Sequence, residues 1–208
     1  MIPVESLLGF LLTSLLLCLA PGPDNLFVLT QSAMYGRRPG LLVTLGLCTG
    51  LLVHTTAVAL GVAVIFQTSA SAFLLLKIVG AGYLLYLAWQ AFRAPAVSMD
   101  EQSTSTLSQG ALYRRGILMN VTNPKVSVFF LAFLPQFVSP EQGSLVPQFL
   151  VLGAVFILAT LIVFGSIACA AGTLGSWLGK SQRAQIVLNR GSAIVLAGLA
   201  VRLVTVQS

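Results

Sequence analysis

The amino-acid sequence predicts an all-α integral membrane protein with six transmembrane helices, arranged as two inverted repeats of three helices each. Composition is the first reason, because 57% of the 208 residues are hydrophobic and only 8% are charged, with a mean hydropathy of +0.95. A soluble domain carries about 25% charged residues. So few charges do not cover the surface of a soluble protein, whereas a helical bundle in lipid needs no such cover.

Apolar segments of membrane-spanning length are the second reason. A span needs about 20 residues, and six segments of the chain approach or exceed that length. They run from Ser6 to Met34, Gly40 to Phe66, Ala72 to Phe92, Gly116 to Phe137, Leu145 to Leu174 and Ile186 to Val204. Because these segments use most of the chain, we expect one transmembrane domain over residues 1–208 and no domain outside the bilayer.

One polar stretch divides the chain into two halves. It begins at Val97, is rich in Ser, Thr and Gln, and is predicted to form a flexible loop over about residues 97–113. Repeat 1 then covers about residues 1–96 and repeat 2 about residues 114–208, with three spans in each. An odd number of spans per repeat gives the two repeats opposite orientations in the membrane, which is the architecture of many secondary transporters.

Basic residues alternate along the predicted loops. The first, third and fifth loops contain Arg37, Arg38, Arg93, Arg114, Arg115, Lys180 and Arg183, whereas the second and fourth, around residues 67–71 and 139–144, contain no basic residue. Cytoplasmic loops carry the excess of Lys and Arg in membrane proteins. The first, third and fifth loops are therefore predicted to be cytoplasmic, and both termini to be non-cytoplasmic.

Prolines interrupt the first span of each half. The first span contains Pro21, Gly22 and Pro23, and the fourth contains Asn123 followed by Pro124. Proline lacks a backbone donor and glycine loosens the backbone, so both helices are predicted to break and to form hinges at these prolines and at the glycine. Breaks at corresponding positions of two repeats indicate a transporter binding site.

Charged and amide side chains lie beside both breaks. Asp24 and Lys125 are each about 15 Å from the cytoplasmic end of their span at 1.5 Å per residue, which is near the middle of a hydrocarbon core about 30 Å thick. Asn25, Asn120 and Asn123 accompany them. We interpret these five residues as candidates for substrate binding or proton coupling. The alternative is a purely structural ion pair, and the sequence leaves open whether the two charges meet directly.

His54 is the only histidine of the chain. It follows Gly46 and Gly50 at four-residue steps, which places all three on one helix face that a neighbouring helix can approach closely. A histidine at membrane depth serves as a proton relay or as a buried packing residue. Both interpretations of His54 are kept, with His54 included among the candidate substrate-binding or proton-coupling residues.

Other classes of function find little support in the sequence. The three cysteines, Cys18, Cys48 and Cys169, lie in apolar segments without metal-binding spacing. No metalloprotease motif or nucleophile elbow occurs, so neither a metal, another cofactor nor an enzymatic activity is predicted. The basic residues are scattered between apolar runs, which is unlike a nucleic-acid-binding surface.

The motifs around these residues resemble the lysine exporter superfamily, and within it the branch of homoserine, threonine and leucine exporters. The matching motifs are Ala20-Pro21-Gly22-Pro23-Asp24-Asn25, Gly36-Arg37-Arg38 with Gly46, Gly50 and His54, Lys77 to Leu87, and Asn120 to Phe137. The resemblance implies a secondary transporter in the bacterial cytoplasmic (inner) membrane that exports amino acids by proton antiport with alternating access. Its partners would be an amino acid, protons and the lipid bilayer, with either a monomer or a homo-oligomer as the assembly.

The resemblance is in keeping with the chemistry of the candidate site. A zwitterionic amino acid needs an anion for its ammonium group, which Asp24 supplies, and donors for its carboxylate, which Lys125 or amide N–H groups at the breaks supply. Two alternatives remain: a membrane thiol relay of similar architecture, whose cysteines would lie beside the prolines, and a structural membrane subunit without transport activity.

Overall fold

A computed structural model of the chain describes residues 2–62, 70–95, 107–180 and 182–205. Within these ranges the backbone is almost entirely helical and contains no strand, so the predicted all-α class is confirmed. The helices are α1 (Val4–Leu19), α2 (Pro23–Tyr35), α3 (Arg37–Ala57), α4 (Ala70–Arg93), α5 (Gln109–Val121), α6 (Pro124–Val128), α7 (Leu145–Lys180) and α8 (Gln182–Thr205). Shorter turns extend them, π-helical at Val58–Val62 and Phe129–Phe133 and 3-10 at Leu134–Phe137 and Pro140–Gln142.

Four of these helices are long and apolar enough to cross a membrane by themselves. Their spans are Arg37–Gly61, Ser71–Arg93, Leu145–Ala171 and Arg183–Thr205. Two further spans result if each pair of bent helices is taken as one, namely Val4–Leu19 with Pro23–Tyr35 and Gln109–Val121 with Pro124–Phe137. The six predicted spans are reached in this way.

The two bends lie at the predicted helix breaks. The first bends by 64° where α1 ends at Leu19 and α2 begins at Pro23, and the second by 48° where α5 ends at Val121 and α6 begins at Pro124. A proline fits the first turn of a helix because the N–H it lacks has no helical partner there. Each interruption therefore ends on a proline that starts the next helix.

The C-terminal part of the predicted loop, residues 109–113, is helical in the structure. Helix α5 begins at Gln109, because the hydroxyl of Ser108 accepts a hydrogen bond from the N–H of Ala111 at 3.3 Å and caps the helix. Residues 97–106 of the predicted loop, and residues 67–69 of the predicted second loop, lie outside the described residues.

Glycines allow the central helices to approach closely. Helix α3 packs against α5 and α7, α4 packs against α8, and α1 and α2 both pack against α7. A Cβ atom on Gly46 would lie 2.9 Å from the Cα of Gly116, and one on Gly50 would lie 2.7 Å from the Cβ of Asn120. The predicted glycine face of α3 thus lies directly against α5.

An aromatic cluster fills the core beside the second break. It comprises Phe10, Phe129, Phe130, Phe133, Phe137 and Phe156. Phe156 of α7 contacts Phe129 and Phe130 with ring centroids 5.3 and 5.2 Å apart. All six rings are buried, so the chain that follows the second break is packed into the core.

Candidate functional site

The two helix breaks lie against each other and enclose a small cavity. Its lining comes from both halves and consists of Leu17, Cys18, Asp24, Leu47, Asn120, Lys125, Val126, Phe156, Thr160 and Phe164. The cavity has a volume of about 20 Å³. Since a cavity of roughly 10–15 Å³ holds one water molecule, this space does not admit an amino acid in the conformation described.

The cavity lies midway along two uninterrupted spans. Leu47 of α3 is about 15 Å from the start of its span at Arg37, and Thr160 of α7 is about 16 Å from the end of its span at Ala171, at 1.5 Å per residue. A hydrocarbon core is about 30 Å thick. Asp24 and Lys125, which line the cavity, therefore lie level with the middle of these two spans.

Asp24 is buried with one carboxylate oxygen in use and one without a partner. It lies in the first turn of α2, directly after Pro23, and its side chain is 4% exposed. Oδ2 accepts a hydrogen bond from Nδ2 of Asn123 at 2.7 Å. Oδ1 is buried and accepts no hydrogen bond. A buried acceptor without a donor is costly unless a ligand supplies that donor.

Lys125 binds the backbone of the first break. Its Nζ donates to the carbonyl of Ala20 at 2.9 Å and to that of Leu17 at 3.3 Å. A Cβ on Gly22 would lie 3.3 Å from Nζ, so the glycine leaves room for the ammonium group. Within the part of the chain that the structure describes, Asp24 and Lys125 do not form an ion pair, because each binds the opposite break instead.

Asn123 connects the two charged residues indirectly. While its Nδ2 donates to Asp24, its Oδ1 accepts from the backbone N–H of Lys125 at 3.0 Å and caps helix α6. Asn25 remains outside the cavity lining, and its Nδ2 donates to the carbonyl of Cys18 at 2.8 Å. Both asparagines thus satisfy backbone groups at a break.

Asn120, near the end of α5, is in contact with His54 of α3. Asn120 is buried and lines the cavity, and its Oδ1 accepts no hydrogen bond. Nε2 of His54 lies 3.1 Å from the carbonyl oxygen of Asn120, and the imidazole packs on Phe130 with ring centroids 5.5 Å apart. His54 therefore contacts the site through Asn120 and does not line the cavity itself.

Seven of the lining residues are missing from the site predicted from the sequence, namely Leu17, Cys18, Leu47, Val126, Phe156, Thr160 and Phe164. Sγ of Cys18 lies 3.7 Å from Oγ1 of Thr160. Phe156 and Phe164 flank Thr160 at four-residue steps on α7, so all three share one helix face. The available signal was a threonine in the middle of a long apolar span, since a polar residue at that depth usually faces the interior.

The polar atoms that line the cavity favour a ligand with donors. Oδ1 of Asp24 and Oδ1 of Asn120 are both acceptors without donors. The described residues contain no group of three or more His, Cys, Asp or Glu side chains arranged for a metal ion. The three cysteines are free thiols, buried at Cys18 and Cys48 and exposed at Cys169. An ammonium group, with three N–H donors and a positive charge, suits the two oxygens.

Comparisons with known proteins agree on one family of transporters. The model of the LysE type translocator family matches residues 15–207. The homoserine/homoserine lactone efflux protein of Salmonella typhimurium is 37% identical over 192 residues, which cover 91% of this chain and 92% of that protein. The leucine efflux protein of Salmonella choleraesuis is 27% identical over 200 residues, which cover 96% of this chain and 94% of that protein.

A further relative, an uncharacterized membrane protein of Vibrio cholerae, is 34% identical over 201 residues that cover 97% of both chains. No solved structure matches the chain significantly. Because the matching family consists of translocators and the named relatives are efflux proteins, the prediction of a transporter and not an enzyme is confirmed. The chain belongs to the LysE type translocator family.

Proposed function

We propose that this protein exports amino acids from the cytoplasm by proton antiport with alternating access. The observation that carries the proposal is the buried carboxylate of Asp24, which has one oxygen without a donor in a cavity between two helix breaks. Relatives named for the efflux of homoserine and of leucine support an amino acid as the substrate.

The substrate ammonium group binds Oδ1 of Asp24 and Oδ1 of Asn120 in this proposal. Two N–H donors of Lys125 bind backbone carbonyls, which leaves a third for the substrate carboxylate. The first N–H groups of α2 are a second source of donors, since no side chain caps that helix. Leu47 and Phe156 then surround the substrate side chain.

Proton antiport follows from the cost of a lone charge in the membrane. An unpaired carboxylate near the bilayer centre costs at least about 3 kcal/mol on insertion scales. After the substrate ammonium group has left, Asp24 therefore binds a proton. The empty site then returns to the conformation that is open to the cytoplasm. Because the same oxygen holds either the proton or the ammonium group, the two move in opposite directions.

Alternating access is needed because the cavity of about 20 Å³ is smaller than any amino acid. The packing supports two inverted repeats that move against each other. The contact of α3 with α5 has its counterpart in the contact of α7 with α1 and α2, and the third spans of the two repeats, α4 and α8, pack together. Exchange of the repeats maps these particular contacts onto one another, which supports an inverted repeat, although the contact of α2 with α3 has no counterpart of similar extent between α5 or α6 and α7.

The proposed location is the bacterial cytoplasmic membrane, with both termini non-cytoplasmic. An impermeant thiol reagent added to intact cells is expected to label Ser144→Cys and to spare Gln109→Cys, both in a cysteine-free background. Both residues are exposed at the ends of helices. The reverse labelling pattern would contradict the orientation.

Transport into inverted membrane vesicles tests the function. With an acidic lumen, labelled homoserine and leucine are expected to accumulate, and a protonophore is expected to abolish the accumulation. Vesicles containing Asp24→Asn serve as the matched control. If no amino acid from a complete set accumulates above that control, the proposed function is wrong. If accumulation persists in the presence of the protonophore, proton coupling is wrong, while the export of amino acids still stands.

A further inference from the structure

The prolines of the two breaks leave one backbone carbonyl each without its helical donor. In a helix the carbonyl of residue i accepts from the N–H of residue i+4. Pro21 is four residues after Leu17, and Pro124 is four residues after Asn120, so neither carbonyl receives that bond. Buried carbonyls require another donor. The structure shows where these two donors come from.

Each carbonyl is bound by a side chain of the other half of the chain. Nζ of Lys125, in the second half, donates to the carbonyl of Leu17 in the first. Nε2 of His54, in the first half, lies 3.1 Å from the carbonyl of Asn120 in the second. A carbonyl oxygen only accepts hydrogen bonds, so Nε2 of His54 carries the proton. In both cases a side-chain N–H of one half binds a carbonyl of the other half, and the carbonyl of Asn120 also accepts from the N–H of Asn123 at 3.0 Å.

We infer that His54 is a positioning residue, whose N–H holds the second hinge, and with it the cavity-lining Asn120, in the conformation that transport requires. This inference rests on the proposed transport function. His54 acts through Asn120, whose carbonyl it binds and whose side chain lines the cavity. Asn120 also packs against Gly50, which lies one turn before His54 on α3. Helix α3 thereby fixes both the backbone and the side chain of Asn120.

This role differs from the two interpretations that the sequence allowed. A proton relay would require His54 to contact Asp24 or to line the cavity. His54 is not among the lining residues, and its ring nitrogen contacts the carbonyl of Asn120. A packing histidine would be replaceable by another aromatic ring, because its contact with Phe130 is a ring contact. A hinge donor, in contrast, is replaceable by another N–H and not by a ring.

Two substitutions separate these roles. His54→Phe keeps a ring against Phe130 and removes the donor, whereas His54→Gln removes the ring and keeps an N–H at similar reach. Thr49→Val is the matched control, because it removes another hydrogen bond between α3 and α5, which joins the hydroxyl groups of Thr49 and Tyr113 at 2.8 Å, away from the break. Transport of homoserine and leucine is measured in inverted vesicles and normalised to the protein in the membrane.

We expect the maximal rate of His54→Phe to fall about tenfold, which is the effect of losing one hydrogen bond near the upper end of its usual range. The half-saturating concentration should change less than about twofold, since His54 does not line the cavity. His54→Gln and Thr49→Val should keep the wild-type rate within about twofold. A wild-type rate in His54→Phe, or an equal loss in His54→Gln, would overturn the inference.

Hydrogen–deuterium exchange provides a readout that does not depend on transport. The N–H of Asn123 donates to the carbonyl of Asn120 at 3.0 Å, so a loosened hinge exposes it. Peptides that cover residues 118–128 should exchange faster in His54→Phe than in the wild type. In His54→Gln their exchange rate should equal that of the wild type. Equal exchange in all three proteins would overturn the inference. If the wild type transports no amino acid, the proposed function fails, whereas the exchange result still decides whether His54 holds the hinge.

Discussion

The two helix breaks look alike in sequence and differ in how their backbone groups are satisfied. At the first, α1 ends at Leu19, α2 begins at Pro23 without a side-chain cap, and the bend is 64°. At the second, Asn123 caps α6 and the bend is 48°. The first break thus offers uncapped N–H groups and the carboxylate of Asp24, while at the second break the N–H of Lys125 is bound by the side chain of Asn123.

We infer from this difference that the two breaks have different roles in transport. The first carries the acceptor that binds the ligand in the proposed mechanism, and its carbonyls depend on Lys125. The second carries Asn123, which holds Asp24 at 2.7 Å, and its carbonyl is held by His54. Changes at the first break should therefore affect export more strongly than changes at the second.

The largest effect is expected from Pro21→Ala combined with Pro23→Ala. The new N–H groups can donate to the carbonyls of Leu17 and Leu19, which allows α1 and α2 to join into one helix. Because straightening moves Asp24 away from the cavity, we expect export to fall by about 100-fold or more with normal insertion into the membrane. Vesicle uptake normalised to membrane protein measures this. Wild-type export by the variant would remove the argument from the first break.

A smaller effect is expected from Pro124→Ala. The new N–H points at the carbonyl of Asn120, which already accepts from the N–H of Asn123 and binds His54. The break is therefore only partly closed, and we expect export to fall by about tenfold, the equivalent of about one hydrogen bond. The same uptake assay applies, and a loss as severe as that of the double proline variant would contradict the difference between the breaks.

The sequence identified both breaks because a proline acts on its own helix, whatever surrounds it. It also placed Asp24 and Lys125 at one depth, and both line the same cavity. The sequence does not predict which side chains bind each other across the two breaks. The bond from Asn123 to Asp24 joins residues 99 positions apart. Similarly, Cys18 and Thr160 meet only through the packing of α1 on α7.

The smallest effect is expected from removal of all three cysteines. Cys18 lines the cavity and contacts Thr160, but a thiol is a weak donor and packs as a small apolar group. Export by a chain with alanine at positions 18, 48 and 169 should stay within about threefold of the wild type. Complete loss of export would contradict a packing role for the three cysteines.

The most direct test of the account is export by Asp24→Asn combined with Lys125→Met. If the two charges merely neutralised each other, removing both would restore what either single change destroys. Since Asp24 binds Asn123 and Lys125 binds carbonyls of the first break, we predict that the double variant is inserted into the membrane and remains inactive. Uptake of labelled homoserine and leucine into inverted vesicles, normalised to membrane protein, decides the matter, and near wild-type rates would contradict the site.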